Sequence, residues 1–386
     1  MIPKAENFTL VNAFQCKFMT NFFDIRYVFI DEELFLKSIL SHADLFPEQT
    51  SDTVYIYDAD HSDPQMAIEF STYDGFALKN ILHEVLNLPV HIISHHDRYS
   101  DIIEQRIKVL KCAQFHPNIQ NKAEFFIHFC KEQHCNLNEL LYFGNDLDIL
   151  TAFVGAQEPN IVTTKQDLLP EILEKDNISI AQQPHAIRKW VDEHTQNSPE
   201  VCAYYNETRK FDNLEIIATT SHVGPALFLD IDGTCTDGSM IFADDGVLWK
   251  RFSKRDIQAI KQWNELENLV FFVTGAKDSI PLKFAELTHT PTDRVLLKSG
   301  SKKLQNVLEV CAQYGIQYRD ITYVGDDCND IGIMEFLLKN GGNIACPSSA
   351  IAAIKSIAHS TRNKSSDGAI AEIIHELLLK YNLLPN

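Results

Sequence analysis

The chain has 386 residues, with 34 Lys+Arg against 53 Asp+Glu and a formal net charge of −19. A surface this acidic lacks the basic footprint that nucleic acid or an anionic membrane requires, and no apolar run approaches the roughly 20 residues that span a bilayer. Nine scattered cysteines without a Cys-x-x-Cys pair, and an N-terminus without an apolar signal core, point to a reducing cytoplasm.

At roughly 100–200 residues per domain, the length predicts two or three domains. Residues 1–50 show helical character at 32–42 and otherwise resist assignment, so they read as an N-terminal extension. Residues 53–56 form an apolar run ending in Asp58 and Asp60. A second run, 90–93, ends in Ser94. His128, Cys130, His134 and Cys135 cluster, but their spacing is not that of a zinc finger, and they read as a helix and its end. Residues 196–222 are a polar linker containing one possible strand, 214–218. Beyond the linker, four apolar residues (226–229) read as a buried parallel strand. They run into Asp230-Ile-Asp232-Gly-Thr234. A further apolar run ends in Thr274-Gly275, and another in Gly325-Asp-Asp-Cys-Asn-Asp330. Helical patterns at 256–266 and 303–314 lie between them. This alternation predicts an α/β fold with a doubly wound parallel sheet, whose ligands sit at the carboxyl ends of the strands.

The chain also echoes itself. Glu69-Phe-Ser-Thr-Tyr-Asp74 matches Arg251-Phe-Ser-Lys-Arg-Asp256, and Tyr142-Phe-Gly-Asn-Asp146 matches Tyr323-Val-Gly-Asp-Asp327. Lys122 falls where Lys303 falls, and Asn160-Ile161 falls where Asn343-Ile344 falls. The expected architecture is two tandem copies, residues 51–195 and 223–386, with Asp58 and Asp60 standing for Asp230 and Asp232. The second copy has an added hairpin signal, Asp244-Asp245-Gly246. The first copy is expected to lack that flap, and it reads His61 for the turn glycine and Asn145 for Asp326. It reads as a structural or regulatory copy, although Asp58, Asp60, Ser94, Lys122 and Asp146 keep motif positions.

The second copy carries chemistry. A carboxylate can attack a phosphoryl group, and a second carboxylate two residues on can move the proton. The repulsion between carboxylate and phosphate calls for a hard divalent cation such as Mg²⁺. A hydroxyl at Thr274 and an ammonium at Lys303 would complete a phosphate cradle.

This constellation resembles the haloacid dehalogenase superfamily of phosphohydrolases, whose four motifs stand in order within residues 226–330. The resemblance implies Asp230 as nucleophile and Asp232 as general acid/base. It implies Mg²⁺ held by Asp230, Asp232 through its carbonyl, and Asp326, with Asp327 and Asp330 in support. Thr274, Gly275 and Lys303 would bind phosphate. Residues 225–380 further resemble 3-deoxy-manno-octulosonate 8-phosphate phosphatases. That implies little or no cap, a homo-oligomer whose flaps close neighbouring sites, and a phosphorylated 2-keto-3-deoxy sugar acid as substrate, the octulosonate 8-phosphate or a nonulosonate 9-phosphate. Arg255, Arg362 or Lys364 would pair with its carboxylate. Lys250 reads as a solvated surface cation and Asp237 as a turn residue. The alternatives are a phosphatase of another small phosphometabolite and a silent binding or assembly protein.

Overall fold

A computed structural model describes residues 24–45, 52–58, 64–146, 149, 158–165, 177–207 and 225–383. The possible strand at 214–218, Asp60 and His61 lie outside these residues. The first half contributes β1 (Tyr27–Asp31), β2 (Ser38–Ser41), β3 (Thr53–Tyr57), β4 (Met66–Ser71), β5 (Val90–Ile93), β6 (Ala113–His116), β7 (Leu140–Phe143), β8 (Asn160–Thr163) and β9 (Ile178–Ile180). The second contributes β10 (Ala226–Leu229), β11 (Ser239–Ala243), β12 (Leu248–Ser253), β13 (Leu269–Val273), β14 (Val295–Leu296), β15 (Ile321–Val324), β16 (Asn343–Cys346) and β17 (His359–Ser360).

Two six-stranded parallel sheets result, in the orders β6-β5-β1-β7-β8-β9 and β14-β13-β10-β15-β16-β17. The central strands are buried along almost their whole length, as parallel strands covered on both faces must be. Ring contacts such as Phe228 on Phe271, with centroids 4.7 Å apart, fill the layers between sheet and helices.

The central strand of the first sheet is β1, not the run at 53–56. The boundary expected at residue 51 therefore cuts through the first sheet's own fold. The reason is visible in burial. Val28, Phe29, Ile30 and Asp31 are all buried between β5 and β7, whereas only Ile56 of β3 is buried. Partial exposure of this kind suits the edge of an antiparallel sheet, where β3 pairs with β12 alone. The 32–42 segment expected to be helical has a short helix, Glu32–Phe35, then β2, with a second short helix starting only at His42.

The flap, expected only in the second half, is present in both. β2 and β4 pair antiparallel in the first half, and β11 and β12 in the second. The four strands join with β3 into one five-stranded sheet, β2-β4-β11-β12-β3. Its seams cross between halves, with Ile241 opposite Glu69 and Arg251 opposite Tyr55. The turn at the tip of the second flap uses Gly246 at φ 88°, a left-handed conformation that favours glycine.

Polar clasps reinforce the seam. Lys37 Nζ lies 2.6 Å from Glu69 and 3.4 Å from Asp237. Arg251 lies 3.3 Å from Glu69 and 3.1 Å from Asp237. Burial alone would raise the Glu69 pKa, yet Lys37 and Arg251 outweigh it and bring it down to about 2. Asp237 thus ties the halves together as well as accepting from the Ser239 N–H in its turn. Among the described residues no helix is long and apolar enough to cross a membrane.

Candidate active site

Strand β10 leads directly into Asp230, and the chain then turns through Gly233 at φ 90°. A side chain at Gly233 would put its Cβ 2.1 Å from Asp326 Oδ2, so the close approach of the two motif loops requires glycine. Asp326 follows β15, and Asp330 lies in the first turn of the helix Cys328–Lys339. Three buried carboxylates, Asp230, Asp326 and Asp330, bring oxygens within 4.8 Å of one another. It is the one His/Cys/Asp/Glu group of metal-holding geometry among the described residues.

The electrostatics of this cluster are severe. Burial, ahead of every other cause, pushes the Asp230 carboxyl up to about 7, with Lys303 opposing and Asp330 adding to the rise. Asp326 is raised well above the ordinary carboxylate range by burial and by Asp230 and Asp330 facing it. Lys303, itself buried, bridges Asp230 at 2.9 Å and Asp330 at 2.7 Å. One ammonium leaves the three carboxylates under-compensated. An all-oxygen donor set with surplus negative charge fits a hard cation such as Mg²⁺.

Asp330 is more tightly determined than its motif position suggested. It accepts from the Tyr323 hydroxyl at 2.6 Å and from the Asp326 N–H at 3.1 Å. Asp327 goes elsewhere. It caps the helix Cys328–Lys339 and receives both Nη atoms of Arg188, at 2.9 and 2.8 Å. Burial would raise its pKa, but the guanidinium wins and lowers it. In the described geometry Asp330, rather than Asp327, completes the carboxylate group. The Asp232 carboxylate is also outside the group and faces Lys250, 2.9 Å from its Oδ1.

A cavity of about 150 Å³ lies over these residues, lined by Asp230, Asp232, Thr274, Gly275 and Asp326 together with Tyr73 of the first half. Thr274 and Gly275 are brought to it as expected, Thr274 Oγ1 accepting from the Ala276 N–H at 3.0 Å. Lys250 is a correction to the expected surface cation. It is 1% exposed and shared between Asp232 and Asp278. Arg255 and Arg362 are not brought to this cavity. Arg255 is exposed and paired with Asp52 at 2.8 Å, and Arg362 is exposed on the loop before the last helix.

Two residues of the first half were invisible to motif reasoning. The Tyr73 hydroxyl donates to Asp326 Oδ2 at 2.6 Å, across 253 positions of sequence. Arg188 grips Asp327 from the helix Ala186–Thr195. The only sequence signal was the Phe-Ser-x-x-Asp echo, which places Tyr73 just past β4 and hence beside the partner flap. Gly238 accommodates the ring, since a Cβ there would lie 2.6 Å from Tyr73 Cε2.

The first half holds a related but different cluster. Asp31, at the end of β1, is bonded to Lys122 and accepts from the Tyr142 hydroxyl at 2.6 Å. Lys122 also lies 3.3 Å from Asp146, and Ser94 donates to Glu32. Asn145 is tied to Thr163 and Thr164. Asp58, the expected counterpart of Asp230, instead sits past the end of β3 and accepts from the Leu248 N–H. In the His/Cys segment, His128 pairs with Glu132 on the helix surface and His134 caps the helix Lys122–Gln133.

No family model matches the chain. The 3-deoxy-D-manno-octulosonate 8-phosphate phosphatase KdsC of Escherichia coli K12 is 27% identical over 168 residues, spanning 43% of this chain and 84% of that protein. The Shigella flexneri protein of the same name is 28% identical over 156 residues, spanning 40% of this chain and 78% of its own. Among solved structures, the 3-deoxy-D-manno-octulosonate 8-phosphate phosphatase of Moraxella catarrhalis, in complex with magnesium ion, phosphate ion and a KDO molecule, is 16% identical. It covers 46% of this chain and 91% of its own, at a TM-score of 0.37. A putative HAD family hydrolase from Streptomyces avermitilis is 24% identical, covering 40% and 86% at a TM-score of 0.37. The curated relatives of this chain are thus KdsC-type 3-deoxy-D-manno-octulosonate 8-phosphate phosphatases, matched over about 43% of its length.

Proposed function

We propose that the second half hydrolyses a phosphate monoester of a sugar acid, with Asp230 as nucleophile and Asp232 as general acid and base. The observation that carries this reading is the meeting of Asp230, Asp326, Asp330 and Lys303 in one buried group, with Asp232 and Thr274 lining the same cavity. Asp230 would form the aspartyl phosphate, expelling the sugar alcohol as its oxygen takes the proton from Asp232. Asp232 would then take a proton from the water that cleaves the acyl phosphate. Asp232 lines the cavity beside Asp230, and the Lys250 ammonium 2.9 Å from its Oδ1 holds its side chain in place. Lys303 and Thr274 would hold the phosphoryl oxygens. Asp230, Asp326 and Asp330 would hold Mg²⁺, which when bound offsets charge between carboxylate and phosphate.

The two halves further support a duplication. Their parallel sheets have the same strand order, and Asp31–Lys122 stands where Asp230–Lys303 stands. We read the first half as a non-catalytic copy. Asn145 replaces Asp326 and is occupied with two threonines, and no second carboxylate group of metal-holding geometry occurs among the described residues.

The test is phosphate release from 3-deoxy-D-manno-octulosonate 8-phosphate and from a panel of neutral sugar phosphates, with Mg²⁺ and then with excess EDTA. The expected result is turnover of the sugar-acid ester that EDTA abolishes and added Mg²⁺ restores. Turnover of neutral sugar phosphates alone would retire the sugar-acid reading, and turnover that persists in EDTA would remove the metal from it.

A further inference from the structure

Asp232 and Gly275 line a second cavity besides the small one over Asp230. It is a cleft of about 720 Å³ between the two halves, within the size range of small-molecule sites. Five lysines face it against three aspartates, in a chain whose net charge is −19. Lys250 is already engaged by Asp232 and Asp278. The first half supplies Lys79, Lys108 and Lys111. Lys108 is weakly paired with Glu104, at 3.7 Å on the helix surface. Lys79 and Lys111 form no ion pair among the described residues.

Behind this wall stands a second, independent feature. Arg106 is 2% exposed, yet no carboxylate among the described residues lies within ion-pair distance of it. Its Nη1 rests 2.8 Å from the Met240 sulfur, a weak acceptor, and its Nη2 is 3.3 Å from the Ser71 carbonyl. Its Nε has no partner. Gly75 makes room for it, since a Cβ there would lie 2.3 Å from Nη2. Met240 lines the cleft, so the guanidinium lies one side chain behind its surface. A buried cation with no carboxylate in contact, though within the field of Asp232 and Asp74, makes its surroundings more favourable for an anion.

We propose that this cleft takes the organic part of the substrate and that the first half reads a carboxylate at the end remote from the phosphate. Lys79, Lys108 and Lys111 contact that carboxylate, and Arg106 adds its field from behind. The inference rests on the phosphatase reading and assigns substrate selection to the half that lacks the catalytic group. It also replaces Arg255 and Arg362, which the fold places away from the cavity over Asp230.

The test uses two esters that differ only in the group concerned, gluconate 6-phosphate (carboxylate) and glucitol 6-phosphate (hydroxymethyl). The full-length protein is compared with the triple variant Lys79→Gln/Lys108→Gln/Lys111→Gln, with Arg106→Met, and with Lys339→Gln outside the cleft as control. The wild type is expected to favour gluconate 6-phosphate by about tenfold in kcat/KM, the worth of one charge-assisted hydrogen bond. The triple variant should bring that ratio near one through KM, Arg106→Met should lower it, and the control should keep it. A ratio unchanged in the triple variant overturns the proposal. If no ester is hydrolysed, including p-nitrophenyl phosphate, the phosphatase reading fails on its own. Calorimetric binding of gluconate then decides the inference: about tenfold weakening in the triple variant supports it, and equal or absent binding overturns it.

Discussion

Tyr73 and Arg188 are the residues on which the reading of the site depends most, because each joins the first half to the motif loop of the second. Tyr73 orients Asp326 through one hydrogen bond of 2.6 Å. Partners that orient a metal-ligating carboxylate commonly set affinity by 10- to 100-fold. Tyr73→Phe is therefore expected to raise the Mg²⁺ concentration for half-maximal activity by roughly tenfold while keeping the fold. Arg188 and Asp327 are a buried bidentate pair. Arg188→Met leaves Asp327 uncompensated and should cost about 3–5 kcal/mol in denaturant unfolding. A variant as stable as wild type would show that the pair is not what anchors this loop. Neither residue could be found by motif. The spacing of Asp230, Thr274, Lys303 and Asp326 is legible because three of them follow apolar strands and Lys303 opens a helical pattern. A contact made by a residue 253 positions away carries no local pattern. The burial of Lys250 carries no local pattern either, since it depends on both Asp232 and Asp278 folding over it.

The element that repeats most faithfully is the strand-to-helix junction Phe-Ser-x-x-Asp. Ser71 accepts from the Asp74 N–H at 3.1 Å, and Ser253 accepts from the Asp256 N–H at 3.4 Å, both as helix N-caps. Each aspartate then reaches the start of the helix that follows the last strand of its parallel sheet. Asp74 accepts from the Arg188 N–H at 2.8 Å, and Asp256 accepts from the Ala371 N–H at 2.8 Å. Those backbone donors have no partner within their own helix. Despite them, burial dominates and raises both carboxyls to about 6. A folded-state pKa above the ordinary value means the folded protein binds more protons than the unfolded chain between about pH 4 and 6. Stability contributed by such a group therefore falls as pH rises through that window, by up to about 3 kcal/mol for a two-unit shift. Asp256→Asn keeps an acceptor and removes the titration. Its unfolding free energy should fall less than that of wild type from pH 4.5 to 7, and parallel curves would contradict the assignment. The junction was legible in the sequence as a repeat. Its capping of a distant helix was not, because the acceptor and the donors are more than 110 positions apart.

At the scale of the whole molecule, the two halves share a sheet and a core. Phe70 of the first half packs on Phe242 of the second with centroids 5.8 Å apart, and β4 pairs along the length of β11. The alternating α/β pattern was legible, and so was the echo between the halves. The first half's starting strand was not. The run at 53–58 is read as the central strand because Asp58-Ala-Asp60 matches Asp230-Ile-Asp232, while residues 27–31 lie in a segment that resists assignment from sequence. What decides is burial on both faces, which the half-exposed run at 53–57 cannot supply and Val28-Phe29-Ile30 can. On the duplication reading the counterpart of Asp230 is then Asp31, and that makes the central claim testable at equivalent positions. The measurement is Mg²⁺-dependent phosphate release from 3-deoxy-D-manno-octulosonate 8-phosphate by Asp230→Asn and by Asp31→Asn, each verified as folded. The account predicts that Asp230→Asn is inactive and that Asp31→Asn keeps turnover comparable to wild type. Turnover that survives Asp230→Asn, or that is abolished by Asp31→Asn in a folded protein, would contradict it.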